Sequence, residues 1–336
     1  MDDLNVAVSK SSNARGKTSK LRMIVRRVDF SIGVGTVVLF LVFSLTADAF
    51  FTQYNQFNLL RTAGLTIFVA LAQGMLQVTG GISLSIGAMG VFSGMFACMA
   101  MENLGAPIWL GFLIAVAVGM LCGLLTGLVI ESFKLPGFVV TLAVQYILTG
   151  LVNGITKGYP FTHLPEEITY IGRKGYFGIL PLVTIMAIVA LAIVWYVFRY
   201  TAIGRRILAT GGNSEAARLA GIPTSKLVVL SHMISGFFSG LAAMLWVSRA
   251  GSMQTTLGGD WMLLSISVSM LGAAKAGFVS PIGFFFSAIL ITMIKNGLVV
   301  ANVNVYYENV FLGVIVLAAI ALDSMRTAFN LRAKKL

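Results

Sequence analysis

Twelve carboxylates, two histidines and two cysteines are the groups this sequence offers for acid–base or metal chemistry. Asp2, Asp3, Asp29, Asp48, Glu102, Glu131, Glu166, Glu167, Glu215, Asp260, Glu308 and Asp323 all fall in tails, in loops or near the ends of apolar runs. A charge at mid-bilayer costs about 2.5–3.5 kcal/mol on insertion scales and is kept there only for a task. None of these carboxylates is expected at that depth, which argues against a proton-coupled carrier. Sodium coupling through backbone carbonyls stays open. His163 lies in a loop and His232 opens an apolar run, with no second histidine at metal spacing. No Gly-x-Ser-x-Gly elbow is present. Cys98 and Cys122 sit inside apolar runs and read as packing residues. Neither a catalytic site nor a metal site is expected in this chain.

What remains is uncharged polar chemistry in apolar surroundings. Thr79-Gly80-Gly81-Ile82-Ser83-Leu84-Ser85-Ile86-Gly87 joins two apolar runs without a charge. Paired glycines and two serines there predict a helix that breaks and restarts. Backbone freed by such a break must line a protein-enclosed cavity, because lipid cannot satisfy it, and broken helices mark substrate paths. A second interruption is read at Gly272 to Gly283, around Ser280-Pro281. The two breaks hold comparable places in two halves, roughly 63–155 and 227–323. Two ordinary cytoplasmic turns are the other reading. Gln73, Gln77, Thr141, Gln145, Asn153 and Asn296 lie on the spans. Such groups hydrogen-bond neutral hydroxylated solutes, and equally neighbouring helices. The substrate path is therefore expected at Gln77, Gly80, Gly81, Ser83, Ser85, Gly87 and Asn296.

A third segment, 199–226, is polar and basic. Within it, Asn213 or Ser214 can cap a short helix, with Glu215 in a first turn that favours negative charge. Gly221 suits the left-handed position after the helix and Pro223 stops it. About two turns projecting from the membrane are expected, with Ala216 and Ala217 forming a small flat face for another protein. That face lacks the bulky apolar residues of a membrane-surface helix.

The elements that carry these segments follow from composition. Of 336 residues, 57% are hydrophobic and 11% charged, and mean hydropathy is +0.90. Soluble domains carry roughly 25% charged residues, so a disordered chain, a secreted disulfide scaffold and an ordinary cytosolic enzyme are excluded. About ten apolar runs follow one another, at 31–48, 63–79, 82–101, 108–130, 138–156, 178–198, 227–248, 261–274, 282–300 and 309–323. Ala47-Asp48-Ala49 has the form of a signal-peptidase site, but the basic segment before it is 30 residues long, and an uncleaved helix is the reading adopted. Arg15-Gly16-Lys17-Thr18 ends like a phosphate-binding loop. The first glycine of that motif would fall on Ser11, so no nucleotide site is expected. With ten alternating spans and the N-terminus inside, 18 of the 24 basic residues lie on the inner side and six outside. That bias places both ends in the cytoplasm. It also explains the net charge of +12 without nucleic acid. The outer loop 157–177 is either a connector or a docking surface. Glycines four apart, at Gly90 and Gly94, at Gly119, Gly123 and Gly127, and at Gly236 and Gly240, predict tight helix packing. Three parts follow: a basic tail 1–30, one transmembrane domain 31–325 and a basic tail 326–336.

The run Glu215-Ala216-Ala217-x-x-x-Gly221 is similar to the Glu-Ala-Ala loop of bacterial ATP-binding-cassette (ABC) importer permeases. Gly204-Arg205-Arg206, Gly211-Gly212-Asn213 and Ala220-Gly221-Ile222 resemble the ribose/galactose/xylose-type sugar permeases in particular. So do Gly80-Gly81-Ile82-Ser83-Leu84-Ser85-Ile86-Gly87, Phe138-Val139-Val140-Thr141-Leu142 and Asn296-Gly297-Leu298. The resemblance covers about residues 30–325. It implies an all-α polytopic membrane protein: about ten transmembrane helices in two pseudo-repeated halves, broken helices and a cytoplasmic coupling helix. It implies no catalysis in this chain, which would work in the bacterial inner membrane as a permease subunit beside a second copy or a paralogue. Two ATP-binding subunits would bind ATP and magnesium and grip Glu215, Ala216, Ala217, Arg218 and Gly221. A periplasmic or lipid-anchored binding protein would deliver a sugar-like solute. Two departures stand out. The family aspartate is Ser83 here, and the second break reads Leu271-Gly272-Ala273-Ala274-Lys275-Ala276-Gly277 with fewer glycines and an added lysine. The alternative from another class is a self-sufficient secondary carrier or channel.

Overall fold

A computed structural model describes residues 28–47, 49–176, 178, 180–272 and 280–300, with isolated positions between 307 and 317. Residues 1–27 of the N-terminal tail, the C-terminal tail, Asp48, residues 273–279 of the second interruption and most of the tenth apolar run lie outside the described residues. The described chain is helical: α1 Val28–Thr46, α2 Gln53–Val78, α3 Ile86–Leu104, α4 Ile108–Phe133, α5 Gly137–Thr156, α6 Thr169–Arg173, α7 Leu182–Tyr200, α8 Ala202–Gly212, α9 Ser214–Leu219, α10 Thr224–Ala250, α11 Trp261–Leu271 and α12 Pro281–Val300. A two-stranded antiparallel ribbon, β1 Gly175–Tyr176 with β2 Leu180–Pro181, interrupts them.

Local sequence explains most boundaries. Pro107, Pro136, Pro181 and Pro223 stand immediately before α4, α5, α7 and α10. Proline there sacrifices no helical hydrogen bond. The Thr52 side chain accepts from the backbone N–H of Asn55 and starts α2. Gly105 and Gly251, at φ of 62° and 76°, end α3 and α10 in the left-handed conformation that glycine adopts freely.

Among the described residues, six helices are long and apolar enough to cross a membrane: α2, α4, α5, α7, α10 and α12. Helix α11 and the part of α1 from Ile32 to Thr46 are shorter apolar helices. Helix α2 is buried along most of its length, whereas α5 is covered on one side only. Leu65, Phe68, Leu71, Trp261 and Phe284 form part of the core around α2. The predicted glycine stripes meet each other, α4 against α10. A Cβ on Gly119 would collide with the carbonyl of Gly236, and one on Gly123 with the carbonyl of His232. Backbone contact of this kind replaces the hydrophobic drive that lipid removes.

Candidate functional site

The break after α2 is built from its own hydrogen bonds. The backbone N–H of Gly80 donates to Gln77 O at 3.0 Å, that of Gly81 to Leu76 O at 2.9 Å, and the Thr79 hydroxyl to Leu76 O at 2.8 Å. Gly80, at φ 89°, makes the turn. The chain then runs back along α2. The Ser83 amide donates to Gln73 Oε1 at 3.4 Å, and the Leu84 amide to Thr141 Oγ1 on α5 at 3.3 Å. The Ser83 and Ser85 hydroxyls lie 3.0 Å apart, and the Ser85 amide donates to Ser83 Oγ at 3.2 Å. Both serines are buried.

Helix α3 therefore restarts inside the bundle. Its first residue, Ile86, accepts a hydrogen bond of 2.5 Å from the hydroxyl of Ser239, near the middle of α10. One residue on, Gly87 meets Gly258 of the loop between α10 and α11, backbone against backbone. Any side chain at either position would push that loop away from α3. Below the break, Gln73 Nε2 and both polar atoms of the Gln77 side chain are buried without a hydrogen-bond partner among the described residues. Buried amides left unmet cost free energy that a fold accepts where a ligand or water completes them.

Six of the residues expected on the path thus share one region: Gln77, Gly80, Gly81, Ser83, Ser85 and Gly87. Asn296 does not join them. It pairs reciprocally with Asn55 at the opposite end of α2, with Nδ2-to-Oδ1 distances of 2.8 and 3.0 Å. Sequence reading missed Ser239 and Gly258 as partners of the break. Ser239 sits within the Gly236–Gly240 stripe, which was a signal of close packing, but nothing local names the helix it meets.

The polar segment 199–226 folds as two helices rather than one. Thr201 caps α8 by accepting from the Gly204 amide at 3.1 Å. Gly204, Ile207 and Thr210 face inward, while Arg205 and Arg206 face solvent. Asn213 caps α9, its Oδ1 accepting from the Ala216 amide at 2.9 Å. The Gly221 amide donates to Arg218 O and that of Ile222 to Ala217 O, each at 3.0 Å, and Gly221 has φ 79°. Both expected ends of the short helix are thereby present. Glu215, Ala216 and Arg218 are exposed, but Ala217 is turned inward, so the two alanines do not share one outward face. Leu219 is 81% exposed beside them.

Long apolar helices packed around an interrupted one define a multi-pass α-helical membrane protein. Residues 55–320 match the family described as "Branched-chain amino acid transport system / permease component", and the chain belongs to that family. It is similar to the ribose import permease of Escherichia coli K12, with 29% identity over 87% of this chain and 92% of the relative. It is 30% identical to the ribose import permease of Bacillus subtilis, over 93% of this chain and all of the relative. It is also 30% identical to the galactose/methyl galactoside import permease of Haemophilus influenzae, over 83% of this chain and 89% of the relative.

Proposed function

We infer that this chain is the membrane-spanning subunit of an ABC importer that carries a monosaccharide, or a similar small polyhydroxylated solute, into the cell across a bacterial inner membrane. The observation that carries the reading is the near end-to-end similarity to ribose and galactose import permeases. The family description names branched-chain amino acids instead, and the full-length relatives are the more specific guide to the solute.

In this reading α9 is the coupling helix. Glu215, Ala216, Arg218 and Gly221 present its outer surface to an ATP-binding subunit, while inward-facing Ala217 seats it on the bundle. Two such subunits hydrolyse ATP; this chain performs no catalysis and holds neither cofactor nor metal. A second permease copy or a paralogue completes the membrane unit, and an external binding protein delivers the solute. Both termini are cytoplasmic and about ten spans form two related halves. The broken segment from Gly80 to Gly87, with Gln77 beneath it, belongs to the path, and Asn296 acts as a fastening between α2 and α12.

The test is uptake of radiolabelled ribose, galactose and xylose by cells carrying or lacking this gene. Gene-dependent, ATP-dependent accumulation of at least one is expected. Uptake that persists after ATP depletion and follows an ion gradient would instead establish a secondary carrier.

A further inference from the structure

Helix α5 carries a polar stripe that the break does not use. Gln145, Thr149 and Asn153 are spaced by four, so they share one face of the helix. With Thr255 and Thr256 from the loop after α10, and Gly87 from the first turn of α3, they line a cavity of about 220 Å³. Tyr146, Ile147 and Leu151 of α5 are exposed and largely apolar, as a lipid-facing surface requires; Thr149 and Asn153 are exposed as well, and Gln145 is half-buried. An amide at mid-helix has no such reason to be there. The Oε1 atom of Gln145 is shut off from solvent and accepts no hydrogen bond from the described residues.

The lining contains no Asp, Glu, Lys or Arg. Beside the apolar Ala88, Val91 and Val152 it offers carboxamides, hydroxyls and glycine backbone, which together donate and accept hydrogen bonds without net charge. That set complements adjacent hydroxyl groups. It provides no counter-charge for a phosphate, a carboxylate or an ammonium group. Gly87, in the first turn of α3, is part of the lining, so a solute held there stands next to the break.

We propose that this cavity is a binding site for a neutral polyhydroxylated solute and that Gln145 and Asn153 select it by hydrogen bonding. The proposal rests on the importer reading above. It assigns recognition to the α5 stripe, outside the Gly80–Gly87 segment.

Two measurements test it, in full-length protein with Cys98 and Cys122 replaced by alanine. In membrane vesicles, Gln145→Cys is expected to react with a charged methanethiosulfonate reagent at least 10-fold faster than Ile147→Cys on the exposed apolar side. Equal rates overturn the cavity. A high yield of Gln145→Cys disulfide between two copies of the chain also overturns it, because the stripe is then a contact between protomers. In cells, Gln145→Met preserves size and removes the amide. For whichever of ribose, galactose and xylose is taken up, it is expected to raise the KM about 10-fold, the effect of losing one well-placed hydrogen bond, with Gln145→Asn recovering part of the loss. An unchanged KM at normal membrane abundance rejects Gln145 as a selecting residue. Absence of uptake of ribose, galactose and xylose alike by the unaltered protein counts against the sugar reading, whereas the labelling comparison still decides the cavity.

Discussion

The ammonium group of Lys295 lies 2.8 Å from the carboxylate of Asp260, tying α12 to the residue that precedes α11. Read along the chain, Asp260 belongs to a loop and Lys295 to an outer span end. In the fold they meet beside Trp261, one of the most deeply buried side chains, with Lys295 19% and Asp260 42% exposed. The loop that holds Gly258 against Gly87 is thus fastened at its far end by an ion pair.

The pair can be weighed by a double-mutant cycle. Asp260→Asn and Lys295→Met are each expected to destabilise the detergent-purified protein by about 1–2 kcal/mol, between the surface and buried ranges. The double variant should recover much of the loss. Additive losses in thermal unfolding would show that the two groups do not act together.

Glu215→Arg reverses the charge on the exposed first turn of α9, where the helix dipole favours an acid. Solute uptake is expected to fall more than 10-fold, and stimulation of the ATP-binding partner to disappear, at normal membrane abundance. Uptake and ATP hydrolysis equal to those of the unaltered importer would remove α9 from coupling.

Asn213→Ala deletes the side-chain cap of α9, an interaction usually worth about 0.5–2 kcal/mol. Gly221→Ala forces a side chain into φ 79°, at a cost of about 1–2 kcal/mol. Each is expected to speed amide hydrogen exchange in 214–222 while leaving the bundle's protection unchanged.

Gly119→Leu or Gly123→Leu places bulk against the backbone of α10. Overpacking typically costs about 1–3 kcal/mol, and more is expected here because rigid backbone stands opposite. Loss of monodisperse protein in size-exclusion chromatography is the readout. Gly35→Ala, with open space around its position, should elute normally.

Ser83→Cys and Ser85→Cys test the break. Both native hydroxyls are buried in this conformation, so polar thiol reagents should react slowly at rest and several-fold faster during ATP turnover. Asn296→Cys should show no such acceleration. Turnover-independent labelling of Ser83→Cys would take the break out of the moving path.

Much of this protein is legible in its sequence because the determining forces are local. Apolar runs long enough to span a bilayer, prolines before helices and the cap-to-glycine grammar of Asn213 to Gly221 act over a few residues, and each left a readable trace. The break at Gly80-Gly81 was readable too, since paired glycines without charge have few other uses in an apolar region. Tertiary structure alone decided where those pieces meet. Asn296 and Asn55 are 241 positions apart, and nothing at either position names the other. Ser239 could have met any helix, Ala217 could have faced outward, and segment 202–212 carried no helix expectation, though its Gly204 packs on Val197 and Phe198 at the end of α7. Contacts between sequence-distant residues are fixed by the shape of the whole bundle, in which close packing admits one partner and excludes the rest. The sequence by itself determined a membrane protein with the Gly80-Gly81 break and the caps of its short helix; only the packed bundle placed Gly87 on Gly258, Lys295 on Asp260 and the α5 amides around a cavity.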